Sequence, residues 1–239
     1  MIFYRRWQPV KALSFDLDDT LYFNQPIIER TEQQLVDYFQ NLYPQCRNSD
    51  SQFWQQAKRK AIEQDPQLLL DFTLMRRGTL RYGFQQSGLQ GQQLENAVED
   101  GFNEFYRLRS DFTVPIEVTR ILANLAKAYP LVAITNGNVN LDKIGIADYF
   151  SHRFHGGIKQ TLKPHRAMFD LTRQALNLNA SEILHVGDSF TNDVMGGIKA
   201  GFKTAWYAED REMLIKQEAV SLLPDIQIHQ LADLEFLLP

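Results

Sequence analysis

Apolar positions along this chain fall into two rhythms. Short apolar or β-branched runs recur at residues 11–15, 131–134, 183–186 and 203–207, with a weaker one at 226–229. Each is followed by Gly, Asp or Asn and then by sequence of helical period. That alternation predicts parallel strands joined by right-handed crossovers in a doubly wound sheet. The interval between the first two runs has a different rhythm. From about residue 26 to 109 the apolar spacing approaches 3.6, as at Leu35, Tyr38, Phe39 and Leu42. It predicts helices over 27–42, 51–64, 68–83 and 92–108, separated at Pro44, Asp65-Pro66 and Ser87-Gly88. A helical block of this length is too large for a simple crossover between neighbouring strands. The expected organisation is an α/β core formed by 1–22 and 110–239, with a helical cap, 23–109, inserted after the first strand. Hinges are expected near 22–26 and 109–115. The Gln-dense stretch around 85–93 reads as a solvated loop and helix face.

Composition narrows the function classes. The 239 residues are 44% apolar and 23% charged, as in an ordinary globular protein. A net charge of −4, with no basic stripe, argues against a nucleic-acid partner. Small anionic substrates stay compatible with it, because a local Lys, a metal or a helix N-terminus outweighs global charge. Cys46 is the one cysteine, so an intrachain disulfide and a cysteine-based zinc site are excluded. It reads as an inert, partly buried thiol. No run of about 18 apolar residues predicts a membrane span, and residues 1–6 become charged too early for a signal peptide. A cytoplasmic protein without a membrane partner is expected; the sequence does not specify an oligomeric state.

Asp16-Leu17-Asp18-Asp19-Thr20 follows the first apolar run and is the most informative stretch. Strand side chains alternate with period two, so Asp16 and Asp18 leave the strand end on one side. Converging carboxylates repel unless a cation neutralises them, and Mg²⁺ is the usual hard partner for oxygen ligands. A nucleophile, a proton carrier and a metal together are what phosphoryl transfer through an aspartyl-phosphate needs. The same pentapeptide also reads as an acidic turn capping the next helix. Thr135-Asn136-Gly137, at the tip of the second run, offers a hydroxyl and backbone amides to a phosphoryl oxygen, or forms a plain turn. Lys163-Pro164 precedes an amphipathic helix through Met168, Phe169, Leu171, Thr172 and Leu176, with Pro164 at its first position. Lys163 then reaches phosphate oxygens and the nucleophile, or is simply solvated; Lys159 is its competitor. In Gly187-Asp188-Ser189-Phe190-Thr191-Asn192-Asp193, Asp188 is placed as a second metal carboxylate and Asp193 as a group orienting it.

Asp-x-Asp-x-Thr at 16–20, Thr135, Lys163 and Gly-Asp at 187–188 with Asp193, in this order, resemble the haloacid dehalogenase (HAD) superfamily. The resemblance spans the chain, and the helical block is similar to the family's C1 cap. Phe15 to Tyr22, Leu131 to Asn138 and Glu182 to Asp188 are closest to a bacterial subgroup of broad-specificity sugar-phosphate and nucleotide phosphatases. That subgroup includes activity on 5-amino-6-(5-phospho-D-ribitylamino)uracil, in riboflavin synthesis, and on FMN. The resemblance implies an Mg²⁺-dependent phosphomonoester hydrolase. Asp16 would attack phosphorus. Asp18 would protonate the leaving oxygen and later deprotonate water. Thr135, the Asn136 amide and Lys163 would hold the phosphoryl oxygens. Asp16, the Asp18 carbonyl and Asp188 would hold Mg²⁺, with Asp193 behind them. A phosphomutase of the same fold and a 2-haloacid dehalogenase are the alternatives. In the cap, Asp71, Arg76, Arg77 and Arg81 read as a charged exposed helix face, or as residues some of which lie over the active site, where an Arg would hold a second anionic group. Tyr22 and Asn24 are candidates for touching substrate, whereas Tyr38, Phe39, Phe53 and Trp54 read as cap core.

Overall fold

The computed structural model describes residues 1–157, 161–207 and 222–238. Among the described residues seven strands form one sheet: β1 (Ile2–Phe3), β2 (Ala12–Phe15), β3 (Leu131–Thr135), β4 (His152–His155), β5 (Ile183–Gly187), β6 (Lys203–Tyr207) and β7 (Ile226–Ile228). Their order is β1-β7-β6-β5-β2-β3-β4, with β1 antiparallel to β7 and every other pair parallel. The adjacent inner strands β5, β2 and β3 are buried along their whole length, which is why they read as largely apolar runs. The two strands not predicted from the sequence, β1 and β4, lie at the sheet edges. There β1 is a short pair of exposed apolar residues, and β4 alternates half-buried with exposed residues and so carries no apolar run.

The chain leaves β2 towards β3 on one side and reaches β5 on the other. Such a reversal opens a crevice at the carboxyl ends of the strands, where parallel sheets bind ligands.

The helical unit contains α1 (Asn24–Leu42), α2 (Ser51–Gln64), α3 (Phe72–Gln86) and α4 (Gly91–Arg109). Its apolar stripes meet in a core of Leu35, Phe39, Trp54, Leu80, Phe84, Phe105 and neighbours. The Phe39, Trp54 and Phe84 rings lie 4.8 to 5.3 Å apart, and Tyr38 and Phe53 pack against the same core while partly buried. The helix predicted over 68–83 is divided. Pro66–Leu70 forms a short 3-10 turn, and Asp71 caps a separate α3 by accepting from the Thr73 and Leu74 amides at 2.8 and 3.1 Å.

Two compact units emerge, Met1–Phe23 with Thr113–Gly137 and Gly145–Pro239, and Asn24–Phe112 with Asn138–Ile144. This grouping differs from the expected boundaries at residue 23, which falls with the sheet, and at 110–112 and 138–144, which fall with the helices. The Asn140 amide donates to Ser110 Oγ at 3.0 Å, a long-range tie between two stretches expected in the core.

The sheet unit adds α5 (Ile116–Ala126), α6 (Ala167–Leu176) and α7 (Gly196–Ala200). Met168 and Phe169 of α6 pack with Ala12, Val132, Ile134, Ile183, Ala200 and Phe202. Because α6 starts at Ala167, Pro164 stands ahead of the helix rather than at its first position. Among the described residues no helix is long and apolar enough to cross a membrane.

Candidate active site

Sheet pairing carries the backbone one residue past β2: the Asp16 amide donates to the Val186 carbonyl at 2.9 Å, and Asp16 is buried. The chain then turns sharply. Asp19 adopts a left-handed φ of 58°, its amide donates to the Tyr22 carbonyl at 2.9 Å, and the Leu21 amide donates to Leu17 at 2.8 Å. Tyr22, expected to touch substrate, is buried and donates its hydroxyl to Asp18 Oδ1 at 2.7 Å. Gly137 faces the other oxygen: a Cβ there would lie 2.6 Å from Asp18 Oδ2 and 3.2 Å from Thr135 Oγ1. Thr135 Oγ1 accepts the Gly137 amide at 2.9 Å, fixing the turn after β3. Thr20 Oγ1 accepts the Asp188 amide at 3.1 Å, and Trp206 Nε1 donates to the Asp188 carbonyl at 2.7 Å. The loops after β2 and β5 are thus bonded together.

Lys163 is the centre of the cluster. Instead of being solvated it is 3% exposed, and its ammonium donates to Asp16 Oδ1 at 2.5 Å, Asp193 Oδ1 at 2.7 Å and the Ile134 carbonyl at 2.7 Å. Those bonds account for all three N–H groups. The Asn136 side chain clamps the Lys163 backbone, accepting its amide at 2.8 Å and donating to its carbonyl at 3.0 Å.

Asp193 belongs to a π-type turn, Phe190–Met195, a geometry frequent at functional sites. Gly187 makes room for it, since a Cβ at 187 would lie 2.2 Å from Asp193 Cγ. Asp193 Oδ2 accepts the Ser189 amide at 3.0 Å, and Oδ1 accepts His185 Nε2 at 3.0 Å. The other ring nitrogen, Nδ1, is 2.9 Å from Ser14 Oγ. His185 and Ser14 are the participants that sequence reasoning missed. Both sit inside apolar runs, and the available signal was a polar residue at the middle of each predicted core strand.

Charge explains the arrangement. One ammonium lies between two buried carboxylates. For Asp193, burial pushes the carboxyl up, but Lys163 and His185 outweigh it and bring it down to about 2. Asp16 lacks that second donor: burial holds its carboxyl well above the ordinary range against the pull of Lys163. Burial lowers the Lys163 ammonium, yet Asp16 and Asp193 together raise it, so it stays charged. Three carboxyl groups, Asp16, Asp188 and Asp193, thus converge beside a single ammonium, and a bound cation would favour their ionised forms. Asp16, Asp188 and Asp193 each present an oxygen, all within 4.8 Å of one another. Both Asp193 oxygens already accept protein hydrogen bonds, while Lys163 takes only one oxygen of Asp16. An oxygen-only donor set of this kind fits a hard divalent ion such as Mg²⁺.

The remaining sequence candidates have other partners. Asp71 is the α3 cap described above. Arg76 pairs with Glu32 and lies 4.1 Å above the Phe105 ring, while Arg77 pairs with Glu99 and Arg81 with Glu95. These arginines form ion pairs between helices of their own unit. Cys46 is buried, and burial raises its thiol. Lys159 lies outside the described residues.

Comparison with known proteins converges on one family. Residues 10–201 match the model of haloacid dehalogenase-like hydrolases. The chain is 35% identical over 238 residues to the 5-amino-6-(5-phospho-D-ribitylamino)uracil phosphatase YigB of Escherichia coli K12, covering 100% of both chains. Among solved structures, a 2-haloacid dehalogenase from Pseudomonas syringae pv. Tomato DC3000 superposes with a TM-score of 0.87 at 28% identity, over 95% of this chain and 97% of that one. An HAD phosphatase from Thermococcus onnurineus, with a TM-score of 0.64 and 20% identity over 95% and 96%, shares the fold.

Proposed function

We propose, for a chain that belongs to the haloacid dehalogenase-like hydrolases and is a phosphatase, an Mg²⁺-dependent hydrolysis of small phosphomonoesters through an aspartyl-phosphate on Asp16. The observation that carries this reading is the buried Lys163 ammonium bonded to Asp16 at 2.5 Å beside a further pair of carboxylates.

In this mechanism Asp16 attacks phosphorus in line, the P–O bond to the alcohol breaks, and Asp18 gives its proton to the departing oxygen. Asp18 then accepts a proton from the water that attacks the aspartyl-phosphate, which releases inorganic phosphate and regenerates Asp16. Thr135, the Asn136 amide and Lys163 offset charge on the phosphoryl oxygens. Mg²⁺, held by Asp16, the Asp18 carbonyl and Asp188, would neutralise the carboxylates and polarise the phosphoryl group. Asp193 orients Lys163 from behind. The Tyr22 hydroxyl and the bare Cα of Gly137 hold Asp18 between them. The 138–144 segment and the four helices are read as the family's cap, with the core formed by the sheet unit.

The substrate reading follows the relative that matches end to end. We infer 5-amino-6-(5-phospho-D-ribitylamino)uracil as a substrate, with FMN and sugar phosphates as further ones, in a cytoplasmic setting that suits a single free cysteine. Assay of purified protein against a panel of phosphorylated metabolites tests it. The reading expects the highest kcat/KM on the ribitylamino substrate. Turnover confined to unrelated phosphates would overturn that choice of substrate.

Asp16→Asn should abolish phosphate release from a generic aryl phosphate while the protein still melts cooperatively, and chelation should silence the wild type until Mg²⁺ is restored. Activity surviving in Asp16→Asn would remove the nucleophile assignment. A second reading, carbon–halogen hydrolysis, is favoured by the 0.87 superposition on a dehalogenase. Asp18 opposes it, because a departing halide needs no acid. Chloride release from 2-chloropropionate, measured beside phosphate release, separates the two.

A further inference from the structure

We infer that His185 is a positioning residue of this site, acting through Asp193 to hold the Lys163 ammonium against Asp16. The inference rests on the reading of Asp16 and Lys163 as phosphoryl-transfer groups and adds a residue that reading does not use.

His185 is out of place by composition. Its neighbours in β5, Ile183, Leu184 and Val186, are fully buried apolar residues, and His185 itself is 1% exposed. Burial holds its imidazole below the ordinary value, so the ring is neutral. A polar ring so deeply buried requires partners for both nitrogens. It has them. Ser14 is its register partner on β2 and bonds Nδ1 at 2.9 Å, Asp193 bonds Nε2 at 3.0 Å, and the edge of Phe169 closes on the ring at 5.0 Å.

The direction of these bonds is forced. The Asp193 carboxylate only accepts, so Nε2 carries the proton and Nδ1 is bare. Ser14 must then donate its hydroxyl to Nδ1. The result is one oriented chain, Ser14 to His185 to Asp193, ending on the same oxygen that receives Lys163.

That shared oxygen is what gives His185 influence. The three N–H groups of Lys163 are committed, two of them to Asp16 and the Ile134 carbonyl, so the ammonium sits where Asp193 Oδ1 sits. The Ser189 amide fixes one Asp193 oxygen and His185 the other. Without His185 the carboxylate turns about its terminal torsion towards Lys163, and the ammonium is drawn from Asp16. Displacement of a catalytic group by about an ångström costs up to roughly a hundredfold in rate.

The test uses the full-length protein with Mg²⁺ and an aryl phosphate. In His185→Asn the side-chain amide reaches Ser14 but stops short of Asp193; in His185→Gln it reaches Asp193. His185→Asn should lower kcat by roughly ten- to a hundredfold. Its KM and half-activating Mg²⁺ concentration should stay near wild type, and it should melt cooperatively. His185→Gln should recover most of that loss. In ¹⁵N-labelled wild type, the His185 ring should show the neutral Nε2–H tautomer, altered by Asp193→Asn.

A folded His185→Asn with wild-type kcat would overturn the inference. So would equal losses in the Asn and Gln variants, the mark of a purely structural residue. If His185→Asn does not fold, an Nδ1–H tautomer in the wild type overturns it alone. Lys163→Met provides the control. Its full activity would strike at the catalytic reading itself, whereas an inactive Lys163→Met beside a fully active His185→Asn refutes only the role given to His185.

Discussion

Single side chains in this site are fixed by what they cannot avoid. Gly137 is one such case, because a Cβ there would lie 2.6 Å from Asp18 Oδ2. Gly137→Ala should turn Asp18 away from its Tyr22 hydrogen bond and lower kcat by about tenfold or more, with little change in melting temperature. An aryl-phosphate assay that finds kcat unchanged would show that Asp18 adapts. The neutral His185 ring sets a pH dependence. Burial holds its folded value below the ordinary one, so the unfolded chain takes up a proton near pH 6.5 that the folded chain refuses. Stability from this group is therefore complete above about pH 6.5 and falls below it, at about 1.4 kcal/mol per pH unit, until the folded value is reached. Thermal melts between pH 7.5 and 5.5 should drop more steeply for the wild type than for His185→Gln.

At the scale of elements, caps and turns decide where the helical pattern breaks. Asp71, read either as part of a charged exposed helix face or as lying over the active site, instead caps α3, its carboxylate accepting from two backbone amides. Asp71→Ala should lower stability by about 1 kcal/mol, read from urea unfolding, and Asp71→Asn should recover most of it. An unchanged midpoint in the Ala variant would mean those amides find water instead. The division of the predicted 68–83 helix has the same origin: Pro66 opens a short turn and the Asp71 cap starts a new helix. Edge strands escaped notice for a related reason. His152-Arg-Phe-His155 alternates half-buried and exposed positions, so it carries no apolar run to be read.

For the molecule as a whole, metal and fold should be linked. Three carboxyl groups converge at the ends of β2 and β5 beside one ammonium, and a divalent ion bound there would favour their ionised forms and the folded state. Mg²⁺ at about a hundred times its dissociation constant should stabilise the folded state by about 2.7 kcal/mol. Differential scanning calorimetry should show the melting temperature rising with Mg²⁺ and falling with chelator. Asp188→Asn should remove most of that response, and a full response in the variant would exclude Asp188 from the ion's coordination.

The sequence alone predicted the inner parallel strands, and it singled out Asp16, Lys163, Asp188 and Asp193, which the structure brings together. Both rest on local properties: strand periodicity puts Asp16 and Asp18 on one side, and buried parallel strands must be largely apolar. It also separated the helical block, because a 3.6 rhythm cannot be satisfied inside a crossover. Only the tertiary structure decided what depends on distant chain segments meeting. The burial of Lys163, the closure of Gly137 on Asp18 and the grouping of 138–144 with the helices are of this kind. The pairing of Ser14 with His185 is another, since it requires β2 and β5 to be neighbours in register. A buried charge or imidazole is stable only with its partners around it, and local sequence does not say which residue 147 or 171 positions away the partner is.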